Sequence, residues 1–331
     1  MERRSMKLVQ MFLLLVLPVP ALAQQQKFGE IGNLKLVSGK MLRECRVGYR
    51  TFGQPNAEKS NIIVCPTWAN GRTEQMAGGM AWLSDSGYFI IAVDALSNGV
   101  SSSPSNSRLQ PRMQFPKITV RDMVESQYEL LTRVLHINHV KAVMGVSMGA
   151  MQTFQWVVAH PEFMDKAVPI AGSPRLAPYD LLHWQAQIDA IKNDRLWNNG
   201  NYAENPARAF EYEIGAMILT TPEFYNAHTT REQVMTEIAK SRDHYTGPDA
   251  NNKIRQVEAM MALDAVDPSA VKAKMFIAVA KNDHTVTPGP ALEFAKKLGV
   301  PPFILDNPCG HSVHACPDNG MAQAILKFLR E

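Results

Sequence analysis

The sequence predicts an α/β fold in which a mostly parallel central sheet carries helices on both faces and an inserted helical cap. Short apolar runs typical of buried strands alternate with helix-length segments over residues 61–170 and again over 274–329. Between these stretches, residues 174–268 have no strand pattern; they are helical in pattern and rich in aromatic residues and methionine. A chain of 331 residues is long enough to bury a large core and carry such an insertion.

The N-terminus has the pattern of a secretory signal peptide. A basic segment precedes an apolar run over residues 8–17, and Ala21-Leu22-Ala23 offers a small-residue cleavage site before Gln24. The apolar run is too short to span a bilayer, so we expect no membrane association after cleavage. The predicted organisation is a signal peptide at 1–23, an α/β core at 24–173 and 269–331, and a helical cap at 174–268, in a secreted or periplasmic protein.

The charge balance argues against a nucleic-acid partner. The formal net charge is +3, and Arg3, Arg4 and Lys7 against Glu2 contribute a large part of it within the predicted signal peptide. The remaining chain is close to neutral, whereas nucleic-acid binding needs a basic surface. We expect no metal and no cofactor, and we leave open whether the protein forms a homodimer.

The individual elements follow from local patterns. Strands are predicted at 34–37, 45–52, 61–65, 88–93, 140–146, 166–170, 274–280 and 302–305, the first two as an antiparallel pair. Helices are predicted at 119–135, 150–159, 289–298 and 320–329. Residues 97–117 are rich in Ser, Pro and Asn and are interpreted as a long loop, which in a compact domain is usually functional or disordered.

A nucleophile elbow is predicted at Ser147. Gly145 and Gly149 flank this serine in the pattern Gly-x-Ser-x-Gly, with the strand 140–146 before it and the helix 150–159 after it. Such a turn holds the serine in strained backbone geometry, and the glycines let strand and helix approach closely. The serine would then stand above the sheet at the positive end of the helix dipole.

A serine hydroxyl needs an adjacent base that is itself oriented by a carboxylate. Asp283 follows the strand 274–280, and His311 follows the strand 302–305. Both come after the carboxyl ends of predicted parallel strands, where open α/β sheets place their sites, and the order Ser, Asp, His is that of a hydrolase sheet. Ser147, Asp283 and His311 therefore form the candidate catalytic triad.

Other residues compete for these roles. Asp306 is the second choice for the acid, although at a strand end its function could be limited to orienting the loop. His284 adjoins Asp283 and cannot easily turn back onto it, His314 has the position of a loop residue, and His160 that of a helix cap.

Acyl transfer also needs donors that bind the developing oxyanion. The backbone N–H of Met148, directly after the serine, should be one of them. The second should come from the loop after the strand 61–65, where Thr67 and Trp68 are both candidates.

Four cysteines are present: Cys45, Cys65, Cys309 and Cys316. In an oxidising compartment an even number permits disulfide bonds. Cys309 and Cys316 close a short loop around His311 and could pair, whereas the alternative is that both are buried, reduced thiols.

Several segments resemble the homoserine O-acetyltransferase family of α/β-hydrolase proteins. They are residues 115–124, Val146-Ser147-Met148-Gly149-Ala150-Met151-Gln152, residues 194–202, Asp283 and Gly310-His311. The likeness extends from about Leu36 to the C-terminus. It implies an α/β-hydrolase fold, the triad given above and a helical cap over the active site.

Three departures from the family pattern favour a different activity. The resemblance implies an Asp after the catalytic His and an Arg in a cap helix, both contacting an amino-acid substrate; this chain has Ser312 and no Arg in residues 213–218. Val146 and Ala150 replace two glycines beside the serine. A secreted protein would also meet no acetyl-CoA. The sequence therefore predicts a secreted serine hydrolase acting on a small-molecule ester or related acyl compound, with an acyl-CoA-dependent O-acyltransferase as the alternative.

Overall fold

A nine-stranded sheet forms the centre of the computed structural model, which describes residues 25–206, 209–243, 247–313, 316 and 320–331. The predicted signal peptide and His314 lie outside these residues. The strands are β1 (Lys27–Lys35), β2 (Met41–Phe52), β3 (Ile62–Pro66), β4 (Phe89–Val93), β5 (Val140–Val146), β6 (Met164–Ile170), β7 (Lys274–Met275), β8 (Ala278–Ala280) and β9 (Phe303–Leu305).

The strand order is β1-β2-β4-β3-β5-β6-β8-β9, and β7 pairs with β6. The pairs β1–β2 and β2–β4 are antiparallel, and all other pairs are parallel. Each parallel connection returns the chain to the same edge of the sheet, so the segments after β3, β5, β8 and β9 meet there. The predicted mostly parallel sheet is confirmed.

Helices cover both faces of this sheet. They are α1 (Thr73–Met76), α2 (Ala81–Ser84), α3 (Val120–Glu129), α4 (Met148–Ala159), α5 (Pro178–Lys192), α6 (Ala209–Leu219), α7 (Pro222–His228), α8 (Arg231–Asp243), α9 (Ala250–Met261), α10 (Gly289–Leu298) and α11 (Met321–Arg330). On one face Phe154 of α4 meets Phe294 of α10 edge-on, with ring centroids 5.1 Å apart. On the other face Leu83 of α2 and Ile325 of α11 are fully buried. Because helices cover both faces of the sheet, side chains on either face of a strand are buried. The strands are therefore apolar on both faces.

The inserted segment between β6 and β7 carries α5 to α9. Its two ends meet at a single antiparallel bridge between Arg175 and Asp264, and the N–H of Ala265 donates to the carbonyl of Pro174 over 2.9 Å. The chain therefore leaves and re-enters the sheet region at one place. That the segment functions as a separate cap domain with the boundaries 174–268 stays a proposal.

The serine-rich stretch 97–117 is irregular except for a short 3₁₀ turn, but it is well packed. Ser101 and Ser103 are fully buried. Helix α9 holds the stretch through Arg255, whose guanidinium donates to the carbonyl of Phe115, and through Asn252, whose carbonyl accepts from the hydroxyl of Ser97 over 3.0 Å. The loop thus links the insertion to the sheet.

Several sequence-based boundaries are wrong, including the start of β2, which lies at Met41 and not at residue 45. The first strand runs from Lys27 to Lys35 and not over 34–37. The sequence does not show it because most side chains of this edge strand are exposed, and the strand is held by backbone pairing with β2. The predicted helix 119–135 ends at Glu129 and continues as one π-helical turn, Leu130–Val134. The predicted strand 274–280 is divided into β7 and β8. Within the described part of the chain, every helix is too short or too polar to cross a membrane.

Candidate active site

The elbow at Ser147 requires glycine on both sides. Ser147 has φ 58° and ψ −123°, a left-handed backbone conformation that is rare for a non-glycine residue. A Cβ on Gly145 would lie 2.2 Å from the backbone of Gly149, and a Cβ on Gly149 would lie 2.6 Å from the carbonyl oxygen of Pro66. The strand β5, the helix α4 and the end of β3 therefore come as close as backbones can, and the serine projects from their junction.

The structure brings the three predicted triad residues together. His311 Nε2 is 2.8 Å from Ser147 Oγ, and His311 Nδ1 is 2.7 Å from Asp283 Oδ2. Both distances are those of strong hydrogen bonds. With a proton on Nδ1 shared with the carboxylate, Nε2 can accept the serine proton, which is the arrangement that general-base activation needs.

Asp283 is fixed as a buried acceptor. Its side chain is 1% exposed. Oδ1 accepts hydrogen bonds from the backbone N–H groups of Thr285 (2.8 Å) and Val286 (2.9 Å), which leaves Oδ2 for His311. The turn 283–286 thus supplies the donors that a buried carboxylate requires.

The Asp283 turn is held from helix α5 and the end of α6. The hydroxyl of Thr285 donates to the carbonyl of Ile218 over 2.8 Å, and its own carbonyl lies 2.9 Å from Nε2 of His183. Asp180 accepts a hydrogen bond over 3.1 Å from the N–H of Thr287, the residue that directly follows this turn. The inserted helices therefore position the acid.

The loop carrying His311 is held from the same insertion. The hydroxyl of Thr221 donates to the carbonyl of Pro308 over 2.7 Å, and the N–H of Ser312 donates to the carbonyl of Leu219 over 3.1 Å. Cys309 and Cys316 are joined by a disulfide with 5.9 Å between their Cα atoms, which is the first of the two alternatives given by the sequence. The base is thus fixed by the α6–α7 junction on one side and by a covalent bridge on the other.

The backbone N–H groups near Ser147 differ in availability. The N–H of Thr67 donates to the carbonyl of Val93 over 3.0 Å, so it is engaged in the sheet. None of the described residues accepts a hydrogen bond from the N–H of Trp68 or from that of Met148, which lies in the first turn of α4. Of the two candidates for the second oxyanion donor, which the sequence could not separate, Trp68 therefore has an available N–H and Thr67 does not.

The competing residues lie elsewhere. Asp306 pairs at the surface with Lys281, 2.8 Å away, and His284 is exposed. His160 ends α4 and stacks on Tyr128, with ring centroids 4.0 Å apart. None of the three contacts Ser147.

Burial shifts the pKa of two groups beside the triad. Burial lowers the pKa of His183 to about 4, although the nearby charge of Asp283 and the carbonyl of Thr285 oppose the shift. Burial raises the pKa of the Asp180 carboxyl, while the N–H groups of Thr287 and Ala177 act in the opposite direction. At neutral pH His183 is therefore an uncharged donor to the Asp283 turn.

Burial also raises the pKa of the Cys45 and Cys65 thiols to about 12. Both cysteines are free and buried, so they are unreactive packing residues. No group of three His, Cys, Asp or Glu side chains within the described ranges is arranged to hold a metal ion.

The sequence analysis missed the residues that hold the backbone segments on which the site residues lie. His183 and Asp180 lie on α5, and Gln152 lies within the apolar helix α4. The one signal in the sequence was that these polar residues stand among apolar neighbours in segments predicted to be buried. A buried polar side chain requires a hydrogen-bond partner, so each of them was a candidate for such a contact.

Comparison with known proteins identifies the fold family. The family described as alpha/beta hydrolase fold matches residues 61–315. The chain is 37% identical to an ethyl acetate hydrolase of Pseudomonas veronii over 206 residues, covering 59% of this chain and 58% of that protein. It is 33% identical to a homoserine O-acetyltransferase of Methanohalophilus mahii over 189 residues, covering 51% of this chain and 39% of that protein.

The match to a solved structure is more extensive. The acetyl esterase MekB superposes with a TM-score of 0.84 over 93% of this chain and 96% of its own, at 26% identity. By sequence alone, the chain spans little more than half the length of the first curated relatives, 52% and 58%. The matched family segment contains Ser147, Asp283 and His311. The chain therefore belongs to the alpha/beta hydrolase fold family, and within it resembles the homoserine O-acetyltransferases, as the sequence motifs predicted.

Proposed function

We propose that this protein is a serine ester hydrolase that cleaves a small acyl ester through an acyl-serine intermediate. The observation that carries the proposal is the continuous hydrogen-bonded line from Ser147 Oγ through His311 to Asp283, with distances of 2.8 and 2.7 Å. The esterase names of the relatives support it, and the ethyl acetate hydrolase points to a short acyl group and a small alcohol.

The reaction follows from the geometry. Ser147 Oγ attacks the ester carbonyl while its proton passes to His311 Nε2, and Asp283 stabilises the resulting imidazolium. The carbonyl oxygen becomes an oxyanion that the N–H groups of Met148 and Trp68 bind. When the intermediate collapses, the C–O bond to the alcohol breaks and the alcohol takes the proton from His311. Water then attacks the acyl-serine with His311 as base, which releases the acid and restores Ser147.

A fluorophosphonate probe and short p-nitrophenyl esters test this role. We expect covalent labelling of Ser147 in the wild type, and a fall in kcat of about 10⁶-fold in Ser147→Ala. Ser173→Ala is a matched control, because Ser173 is also buried after a parallel strand but donates to the carbonyl of Arg175. A Ser147→Ala variant with wild-type turnover, or an unlabelled Ser147, would refute the proposal.

An O-acyltransferase using an acyl-CoA donor is the second candidate. It is supported by the similarity to homoserine O-acetyltransferases at 33% identity. Against it stand Ser312, whose side chain carries no charge, and the absence of arginine from residues 213–218. A zwitterionic substrate would lose both charged partners, each worth about 1.5–3 kcal/mol as a charged hydrogen bond. Thiol release from acetyl-CoA that depends on homoserine would favour the acyltransferase; release of acetate from ethyl acetate without it would favour the hydrolase.

We also propose that the protein is exported after removal of residues 1–23. The proposal rests on the basic, apolar and small-residue pattern of that segment. Export would separate the enzyme from cytosolic acetyl-CoA, which agrees with hydrolysis. N-terminal sequencing of protein from the periplasm or medium should find Gln24; an intact N-terminus in the cytosol would contradict export.

A further inference from the structure

A line of buried side-chain hydrogen bonds joins α3, which carries Gln127, to α4, which carries Gln152 and Trp156, and leads towards the site. The indole N–H of Trp156 donates to Gln127 Oε1 over 2.8 Å, and Gln127 Nε2 donates to Gln152 Oε1 over 2.6 Å. Gln152 Nε2 then donates to two backbone carbonyls, those of Thr67 (3.0 Å) and Met148 (3.1 Å). All five residues are fully buried. A buried polar network destabilises the fold unless every member has a hydrogen-bond partner. Each side-chain nitrogen and oxygen of this line has one.

The end of this line is the peptide group that carries the proposed oxyanion donor. The carbonyl of Thr67 and the N–H of Trp68 belong to the same planar peptide unit, and they point in opposite directions. Fixing the carbonyl therefore fixes the direction of the N–H. The other groups of Thr67 are already engaged, since its N–H donates to Val93 and its hydroxyl accepts from the N–H of Ala95 over 3.1 Å.

The same amide reaches the second donor segment. Gln152 uses one N–H on the Thr67 carbonyl and the other on the carbonyl of Met148, one turn earlier in α4. Close approach makes this possible, because Gly149 packs directly against the carbonyl of Pro66 at the end of β3. A single side chain thus connects the two segments that supply the oxyanion donors.

The direction of the line is determined at both ends. An indole nitrogen can only donate, so Trp156 turns the oxygen of Gln127 towards itself and the amide nitrogen of Gln127 towards Gln152. The two backbone carbonyls can only accept, so Gln152 must present its nitrogen to them. Both ends require the same orientation of the amides. Aligned donors polarise one another, which strengthens the bond on the Thr67 carbonyl and makes the Trp68 N–H a better donor.

We propose that Gln152 is a positioning residue for the oxyanion site: it holds the Thr67–Trp68 peptide plane so that the Trp68 N–H faces the carbonyl oxygen of an ester bound at Ser147. Trp156 and Gln127 keep Gln152 in the orientation that this requires. The inference rests on the proposed hydrolase function. It explains why α3 and α4, which pack against each other in the core, bury hydrogen-bonded polar side chains between them.

The test uses Gln152→Met, which approximately preserves the length and volume of the side chain but removes both N–H donors and the oxygen that accepts from Gln127. Turnover of p-nitrophenyl acetate is measured together with the affinity of a trifluoromethyl ketone, which adds to Ser147 and leaves an oxyanion in place of the ester carbonyl. We expect kcat to fall roughly 10- to 100-fold with little change in KM, because the oxyanion forms only after binding. The affinity for the ketone should fall in parallel with kcat/KM.

Thr153→Val is the matched control. Thr153 is the next residue of α4 and is fully buried, but its hydroxyl donates to the carbonyl of Gly149 within the helix, over 2.9 Å. It loses a buried hydrogen bond without touching the Thr67–Trp68 peptide, so the ratio of ketone affinity to KM should stay at the wild-type value.

Trp156→Phe provides a second variant that leaves Gln152 in place. It removes the donor that fixes the orientation of the line, and we expect a smaller loss of the same kind, about three-fold in kcat and in ketone affinity. If the kcat and ketone affinity of Gln152→Met, or of Trp156→Phe where Gln152→Met does not fold, match those of Thr153→Val, the role of Gln152 is refuted. A wild-type protein that neither hydrolyses esters nor binds the ketone would instead refute the proposed function.

Discussion

The two halves of the candidate site are built from different parts of the molecule. Ser147 and the N–H groups of Met148 and Trp68 lie where β3, β5 and α4 meet, and their supports come from within the sheet and its covering helix. Asp283 and His311 lie on loops whose supports come largely from the insertion, through the carbonyls of Ile218 and Leu219.

This difference separates two kinds of constraint. The nucleophile half depends on backbones in direct contact, which tolerate no added atom. The acid and base half depends on side-chain hydrogen bonds, a disulfide and one helix junction, which can be removed one at a time. Substitutions should therefore be more disruptive in the first half and more finely graded in the second.

After loss of the serine itself, the largest effect on kcat is expected from Asp283→Asn. The amide cannot stabilise an imidazolium or hold His311 with its proton on Nδ1, so kcat should fall about 10⁴-fold. Asp306→Asn is the control, because Asp306 pairs with Lys281 at the surface and should change kcat little. Ester turnover in both variants measures the difference; a reversed order would assign the acid to Asp306.

A pair of glycines compares the halves directly. Gly149→Ala should destabilise the protein by about 2–3 kcal/mol, because its Cβ would lie 2.6 Å from a carbonyl oxygen of the buried strand β3. Gly310→Ala should cost about 1–2 kcal/mol, since Gly310 has φ 59° and its Cβ would meet Thr220 at 3.1 Å. Urea unfolding gives both values. An equal or larger loss for Gly310→Ala would contradict the difference between the halves.

The disulfide should have an intermediate effect. The double variant Cys309→Ala, Cys316→Ala should lose about 2 kcal/mol of stability, and kcat should decrease because the loop carrying His311 is less restricted. Peptide mass mapping without reductant should find the two cysteines linked, and Cys45 and Cys65 resistant to alkylation in the folded protein. Alkylation of Cys309 and Cys316 in native, exported protein would show that the bridge is absent.

The smallest effect is a dependence of stability on pH through His183. Its pKa is about 4 in the folded protein against 6.5 as the reference value, so the unfolded state binds more protons between these values. The contribution of neutral His183 is complete above pH 6.5 and is lost as the pH falls towards 4, with roughly 1–2 kcal/mol already lost at pH 5. His183→Gln keeps a donor for the Thr285 carbonyl without the titration. Unfolding at pH 7 and pH 5 should show a smaller loss in this variant, and an equal loss would exclude His183 as the cause.

Much of the fold was predictable because strong local patterns determine it. The elbow, the helix α10 and the strands β5 and β6 combine apolar periodicity with clear boundary residues. The strand β1 was placed too late in the chain, because its side chains are mostly exposed and its stability comes from backbone pairing with β2. The short helices α1 and α2 gave no periodic signal at four residues each.

The proximity of Ser147, Asp283 and His311 was predictable from their order and strand positions, whereas the contacts that support them were not. Asp283 and His311 follow parallel strands, so topology brings them to Ser147. The contacts of His183 and Gln152 join residues far apart in the chain, and only the fold shows which carbonyls they meet. Choosing between Thr67 and Trp68 required knowing that β4 already uses the Thr67 N–H.

The buried Lys166 on β6 gives the fold a consequence for biosynthesis. Its ammonium donates to the carbonyls of Phe328 and Leu329 in the last turn of α11, over 2.6 and 3.1 Å. A growing chain delivers β6 long before those acceptors, which lie 162 and 163 residues further on. Asp283 and His311 also follow the insertion, so a nascent chain carries the serine elbow without its base. The last helix therefore supplies the acceptors for an ammonium group that would otherwise be buried without partners, and it is synthesised after Asp283 and His311, the proposed acid and base.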